Sequence, residues 1–258
     1  MIENSAAGGP PDARSRLRGT LAARFGPEQR RRLWHRLRRP AWLGTLRRLT
    51  PLSDYWGFER GTAVDRYYIE RFLGQYRLDI RGRVLEVRDS VYTDQFGTAV
   101  VQRDILDIDP ANPKATIVAD LTSSAGLPAD LFDCFVLTQT LQFIYDFRAA
   151  VDQAFRLLRP GGVLLVTVPS VSRVAPRYGL KSDYWRFTAA SCSALFGPVF
   201  GDAQVTIQSY GNVLTATAFL AGMAHEELSR RELEMVDPYF PVIIAVRAVK
   251  AAGSEHQP

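Results

Sequence analysis

Apolar and polar positions change rhythm along this chain, and the changes mark its elements. Over residues 64–76, Val64, Tyr67, Tyr68, Phe72 and Leu73 recur at helical spacing and predict an amphipathic helix. Short continuous apolar runs follow at 83–87, 98–102, 115–119, 133–138 and 162–168, and each reads as a strand. Between the last two, Ala150, Val151, Ala154, Phe155 and Leu158 set a helix over 147–158, which Arg159-Pro160-Gly161-Gly162 stops. Two further strands are read at 204–208 and 242–249. The stretch 211–239 between them is longer than a hairpin and carries an apolar helix around Val213, Leu214, Ala218, Phe219, Leu220 and Met223. That helix reads equally as a cap on a site or as a dimer contact. Continuous apolar strands alternating with helices imply an α/β domain whose mostly parallel sheet is covered on both faces.

Composition changes this picture only at the ends. The chain has 258 residues, 47% hydrophobic, with a formal net charge of +5. Twelve arginines fall between residues 14 and 48, so the remainder is close to neutral. Residues 1–15, rich in Gly, Pro and Ala, read as a disordered tail, and 251–258 as another. Residues 16–60 read as a basic helical arm, with Leu17, Leu21, Phe25, Leu33, Trp34, Leu37, Trp42 and Leu46 threaded through the arginines. The domain itself is read at 61–250. Such an arm suits an anionic membrane surface or an acidic partner. It suits equally well packing back onto the domain, and less well nucleic acid. Cys134 and Cys192 give no disulfide framework, and three histidines give no metal cluster. No apolar run approaches the roughly 18 residues of a membrane span, and the first residues lack an apolar leader core. A soluble, cytoplasmic protein is the expectation.

In open α/β sheets ligands lie beyond the carboxyl ends of the strands. Those ends carry Glu86, Asp104, Asp120 and the run Thr138-Gln139-Thr140. Val84-Leu-Glu-Val, Asp120-Leu, Leu127-Pro, Phe132-Asp and the segment from Leu157 through Arg159-Pro-Gly-Gly to Pro169 resemble, in order, the motifs of class I S-adenosylmethionine-dependent methyltransferases. The resemblance covers about residues 62–250. It implies a Rossmann-like, seven-stranded, mostly parallel sheet with an antiparallel last strand, and S-adenosylmethionine across the first strands. Carried over by position, Glu86 faces the methionine end and Asp104 holds the ribose hydroxyls, with Asp107 or Asp109 in its place if the second strand runs on. Asp120 takes the adenine amino group beside the Leu121 backbone, and Gln139 stands where the methyl group is presented. Tyr67 and Tyr68 read either as core aromatics on the helix before the sheet or, one of them or Arg66, as closing over the cofactor.

The family's glycine-rich first loop is here Arg88-Asp89-Ser90-Val91-Tyr92, without glycine. Asp65-Arg-Tyr-Tyr-Ile-Glu, Tyr92-Thr93, Thr138-Gln-Thr-Leu-Gln and Asp183-Tyr-Trp-Arg-Phe-Thr are similar to bacterial methyltransferase-domain proteins often linked with glycosyltransferases, which share this loop. Tyr184, Trp185 and Arg186 read either as a substrate wall or as packing at a helix start. Asp183 and His225 are the available general bases; for His225, on a helix face, a solvated position is the simpler reading. A small-molecule or sugar O-methyltransferase is the leading expectation. A non-catalytic binding module of the same fold and a nucleic-acid methyltransferase are the alternatives. The absence of an Asn/Asp-Pro-Pro-aromatic motif after the fourth strand weighs against nucleic acid, and the missing Gly-x-Gly-x-x-Gly turn weighs against a nicotinamide enzyme.

Overall fold

The computed structural model describes residues 26–29, 44–175 and 180–252. The chain divides into two compact units, residues 1–49 and 50–258. Of the first unit, the described pieces are a helical turn at 27–29 and a 3-10 turn, Gly44–Leu46. The rest of the basic arm and both tails beyond residue 252 and before residue 26 lie outside the described residues. Residues 50–60 fall in the second unit.

The domain is built on β1 (Arg81–Val87), β2 (Ala99–Asp107), β3 (Ile117–Val118), β4 (Phe132–Thr138), β5 (Leu158–Pro169), β6 (Val205–Tyr210) and β7 (Ile243–Val249). They form one seven-stranded sheet in the order β3-β2-β1-β4-β5-β7-β6. The pairs β1–β2, β1–β4, β2–β3 and β4–β5 are parallel, and β7 runs antiparallel between β5 and β6. The order reverses between β1 and β4, which places the switch point where their carboxyl ends diverge.

Helices are α1 (Val64–Gln75), α2 (Val91–Phe96), α3 (Phe147–Leu157), α4 (Ala189–Phe200), α5 (Val213–Ala221) and α6 (Arg230–Glu234). The period of two explains why the central strands are apolar throughout. Leu85, Phe135, Leu137, Leu164 and Val166 enter one core with the apolar face of α3 and α4. Val84, Cys134, Val136, Val163 and Leu165 enter the other with Val64, Tyr68, Ile69, Phe72 and Leu73 of α1. Asp146 caps α3 by accepting from Ala149 N at 3.1 Å. Thr188 and Ser191 form a capping box that starts α4.

The β2–β3 edge differs. No described helix joins β2 to β3 or β3 to β4, and Val101 is 86% exposed. Without a helix cover, residues 99–103 of β2 are largely exposed and its middle, Gln102-Arg103-Asp104, is polar, so sequence patterning ends the strand five residues early.

Candidate active site at the carboxyl edge of the sheet

Glu86, near the end of β1, is 3% exposed. Its carboxylate accepts from Tyr92 N (3.1 Å), Thr93 N (2.8 Å) and Thr93 Oγ1 (2.7 Å). It therefore takes the open amides at the start of α2, the groups a helix N-terminus leaves unpaired. Burial drives its pKa up to about 7, with the bonds to Thr93 and Tyr92 opposing. Both of its oxygens are thus bonded to the start of α2. This cap also explains how the loop manages without glycine. The chain needs only Arg88, Asp89 and Ser90 to pass from strand to helix, and Arg88 alone takes a left-handed conformation, φ 74°.

Beyond β1, β4 and β5 lies a cavity of about 240 Å³, lined by Trp56, Asp65, Arg66, Arg88, Gln139, Gln142, Arg173, Asp183 and Arg186 among others. Gln139 follows β4 directly at φ 46°, fixed by its amide donating to Thr167 O at 2.8 Å. Gln142 Nε2 donates to Gln139 O at 2.9 Å. Gln139 Nε2, Gln142 Oε1 and Asp65 Oδ1 are buried and have no partner. Burial raises the Asp65 pKa, while the adjacent Arg66 charge pulls it back. Arg66 donates to the Tyr92 hydroxyl and lies 5.8 Å from that ring's centre. Arg173 donates to Asp54 O and stacks 5.4 Å from the Trp56 ring centre.

Other sequence candidates fall elsewhere. Asp104 pairs in register with Leu85 inside β2, three residues before the strand ends, and its carboxylate is held by Arg83 at 2.7 and 3.2 Å. The acids at the end of β2 are Asp107 and Asp109. Asp107 accepts from Asp109 N (3.0 Å) and Asn112 Nδ2 (2.6 Å), and Asn112 also donates to Arg88 O, tying the β1 and β2 ends together. Asp120 does stand past β3, exposed, accepting from Thr122 N and Oγ1 at 2.8 Å, while the Leu121 side chain enters the core.

Tyr67 and His225 meet at a ring separation of 5.3 Å and line a second depression with Arg230 and Leu233, not the cavity. Tyr67 lies one position beyond Arg66 on α1, and that turn of about 100° carries it to another face. His225 sits on a 3-10 turn, 3.5 Å from Glu226, so neither is placed to serve the cavity. Asp183, although lining the cavity, has its side chain 2% exposed and binds Arg186 at 2.5 and 3.1 Å and Ala175 N at 2.9 Å. It braces the loop after β5. Of the expected wall, only Arg186 lines the cavity. Trp185 anchors elsewhere, Nε1 donating to Ile144 O at 3.1 Å with its ring against Phe147, and Tyr184 packs exposed on Tyr145. Asp65, Arg88, Gln142 and Arg173 were given no role in this site by sequence. Asp65 and Gln142 stood in runs shared with similar proteins and Arg88 where the motif has glycine, while Arg173 carried no signal.

Comparison with known proteins follows this geometry. Among solved structures the fold is similar to the [4+2]-cyclase SpnF (16% identity, 80% of this chain and 88% of that one, TM-score 0.49). It is also similar to an S-adenosylmethionine-dependent methyltransferase from Archaeoglobus fulgidus (13%, 72% and 94%, TM-score 0.48). A third is the N-methyltransferase NodS from Bradyrhizobium japonicum in complex with S-adenosylhomocysteine (14%, 77% and 93%, TM-score 0.46). No curated protein matches the chain. No described helix is long and apolar enough to cross a membrane. A family model described as methyltransferase domain matches residues 44–197, more than half of the chain. The protein therefore belongs to the methyltransferase-domain family, with the class I sheet and S-adenosylmethionine as the family's methyl donor.

Proposed function

We propose that this chain methylates a hydroxyl of a small molecule, a sugar or similar polyol, held in the cavity beyond β1, β4 and β5. The observation that carries the reading is that Asp65, Gln139 and Gln142 all line it and each keeps one buried polar atom without a partner: Asp65 Oδ1, Gln139 Nε2 and Gln142 Oε1. Orphaned buried polar groups are costly unless a ligand completes them. A donor, an acceptor and a carboxylate together suit a hydroxyl-rich acceptor. The cavity's size supports a small molecule over a nucleic-acid duplex.

The residues at the strand ends also fit the cofactor. Asp109 is exposed beyond β2 and has one oxygen bonded to Ala111 N at 2.9 Å, leaving acceptor capacity for ribose hydroxyls, whereas both Asp107 oxygens are bonded within the loop. Asp120 and the Leu121 amide stand beyond β3 for the adenine edge. When bound, S-adenosylmethionine supplies an electrophilic methyl group on a sulfonium. Gln139 and Gln142 orient the acceptor, and Asp65 Oδ1 takes the proton its oxygen gives up as the O–CH3 bond forms. Burial-raised basicity suits that role, because a base works best with a pKa near the working pH. Asp183, neutralised by Arg186, and His225, at the other depression, are replaced by Asp65 as the base.

The test is methyl transfer from labelled S-adenosylmethionine to a panel of sugars and sugar acids, with calorimetry using S-adenosylhomocysteine alongside. Asp65→Asn is expected to lower the rate by about 10²–10⁴-fold while S-adenosylhomocysteine affinity stays within about threefold. An equal loss of both would remove Asp65 from the chemistry. A chain that binds neither cofactor form would be a binding module.

A further inference from the structure

Four arginines line the cavity, and they are not equivalent. Arg186 is neutralised by the bidentate Asp183. Arg66 lies beside Asp65 and is held on Tyr92. Arg88 and Arg173 are different: among the described residues neither forms an ion pair, and both line the cavity. Arg173 is held in place through a backbone carbonyl and the Trp56 face, which fix a guanidinium without cancelling its charge. The Arg173 charge acts on the exposed Glu59, whose carboxylate is bonded to Ser53. Arg88 holds an energetically unfavourable left-handed backbone at a position where the motif has glycine.

We propose that the acceptor carries an anionic group, phosphate or carboxylate, gripped between Arg88 and Arg173. This rests on the acceptor occupying the cavity, as argued above. The physical reason is charge balance. A cofactor whose sulfonium approaches two unpaired guanidinium groups, Arg88 exposed and Arg173 half-buried, meets repulsion. An anion on the acceptor reverses the sign of that interaction and adds charge-assisted, bidentate hydrogen bonds. An anionic acceptor and the sulfonium cofactor therefore assist one another's binding, and the neutral thioether product does not share the benefit. The same arginines could instead serve the carboxylate of the cofactor's own methionine part, and the two sources have opposite signatures.

The experiment titrates the full chain with S-adenosylmethionine and with S-adenosylhomocysteine, each with and without saturating pyrophosphate at constant ionic strength. Pyrophosphate is expected to tighten S-adenosylmethionine binding about tenfold and to leave S-adenosylhomocysteine within about twofold, because only the former carries the sulfonium. Arg88→Gly and Arg173→Met should each abolish that tightening. Arg88→Gly relieves the left-handed strain and so keeps the fold, and its S-adenosylhomocysteine affinity reports an intact cofactor site. If pyrophosphate weakens both cofactor forms alike, the arginines serve the cofactor carboxylate and the proposal falls. If it changes neither, there is no coupled anion site and the proposal falls, while S-adenosylhomocysteine binding leaves the methyltransferase reading standing. Failure of both cofactor forms to bind overturns that reading as well.

Discussion

Arg88 concentrates the residue-scale tension in this site. A left-handed backbone costs an L-residue about 1 kcal/mol, and glycine adopts it freely. Arg88→Gly should therefore hold thermal stability or raise it by up to about 1 kcal/mol, even as it removes the anion response. A clear drop in melting temperature would mean that the arginine side chain supports the fold. Asp104 makes the reverse case. It resembles a ligand-binding acid in sequence, yet its partner is Arg83, 31% exposed at the side chain. Removing one member of a half-buried pair strands the other, so Asp104→Ala is expected to cost about 1–3 kcal/mol of stability. Chemical denaturation measures it.

At the scale of elements, the turn from β1 into α2 is the distinctive unit. Glu86 holds it, and its pKa of about 7 lies above the usual carboxylate value. A raised acid pKa means that the folded state binds the proton more tightly than the unfolded chain. The favourable contribution is present at low pH and is lost as pH rises from about 4.5 through 7, by about 3 kcal/mol in all. Glu86→Gln should flatten the stability loss between pH 5 and 8, read from melting temperatures across that range. An unchanged slope would place the proton elsewhere. The fold's central elements were legible because β1, β4 and β5 are buried on both faces, and continuous apolar runs have one structural meaning. β2 was legible only in part, since the polar run Gln102-Arg103-Asp104 in its middle stands where a loop is expected. The cavity was scarcely legible. Its walls come from residues 55–58, α1, the β1 and β4 ends and residues 172–173, which only the folded sheet brings together. Trp185 misled because an aromatic following β5 looks like a wall, while its indole N–H finds the Ile144 carbonyl instead.

Across the whole molecule, binding and anchoring occupy opposite ends of the sheet. The cavity lies at the carboxyl ends. At the amino ends, Lys250, 5% exposed, donates to Asp130 Oδ1 (2.7 Å), Leu158 O (2.8 Å) and Phe155 O (3.2 Å), closing the end of β7 onto the start of β5. Lys250→Met should lower stability by about 1–3 kcal/mol and leave cofactor affinity unchanged. A parallel loss of affinity would show that the two ends are coupled. The central claim is that the cofactor lies across the carboxyl edge, with its ribose on the acid beyond β2 and not on the acid within it. The most direct measurement is calorimetric titration of S-adenosylhomocysteine into the parent, Asp109→Ala and Asp104→Ala. The expected result is binding to the parent, a loss of about ten- to a hundredfold in Asp109→Ala, and affinity within about threefold for folded Asp104→Ala. Parent-like affinity in Asp109→Ala, or no binding to the parent at all, would contradict it.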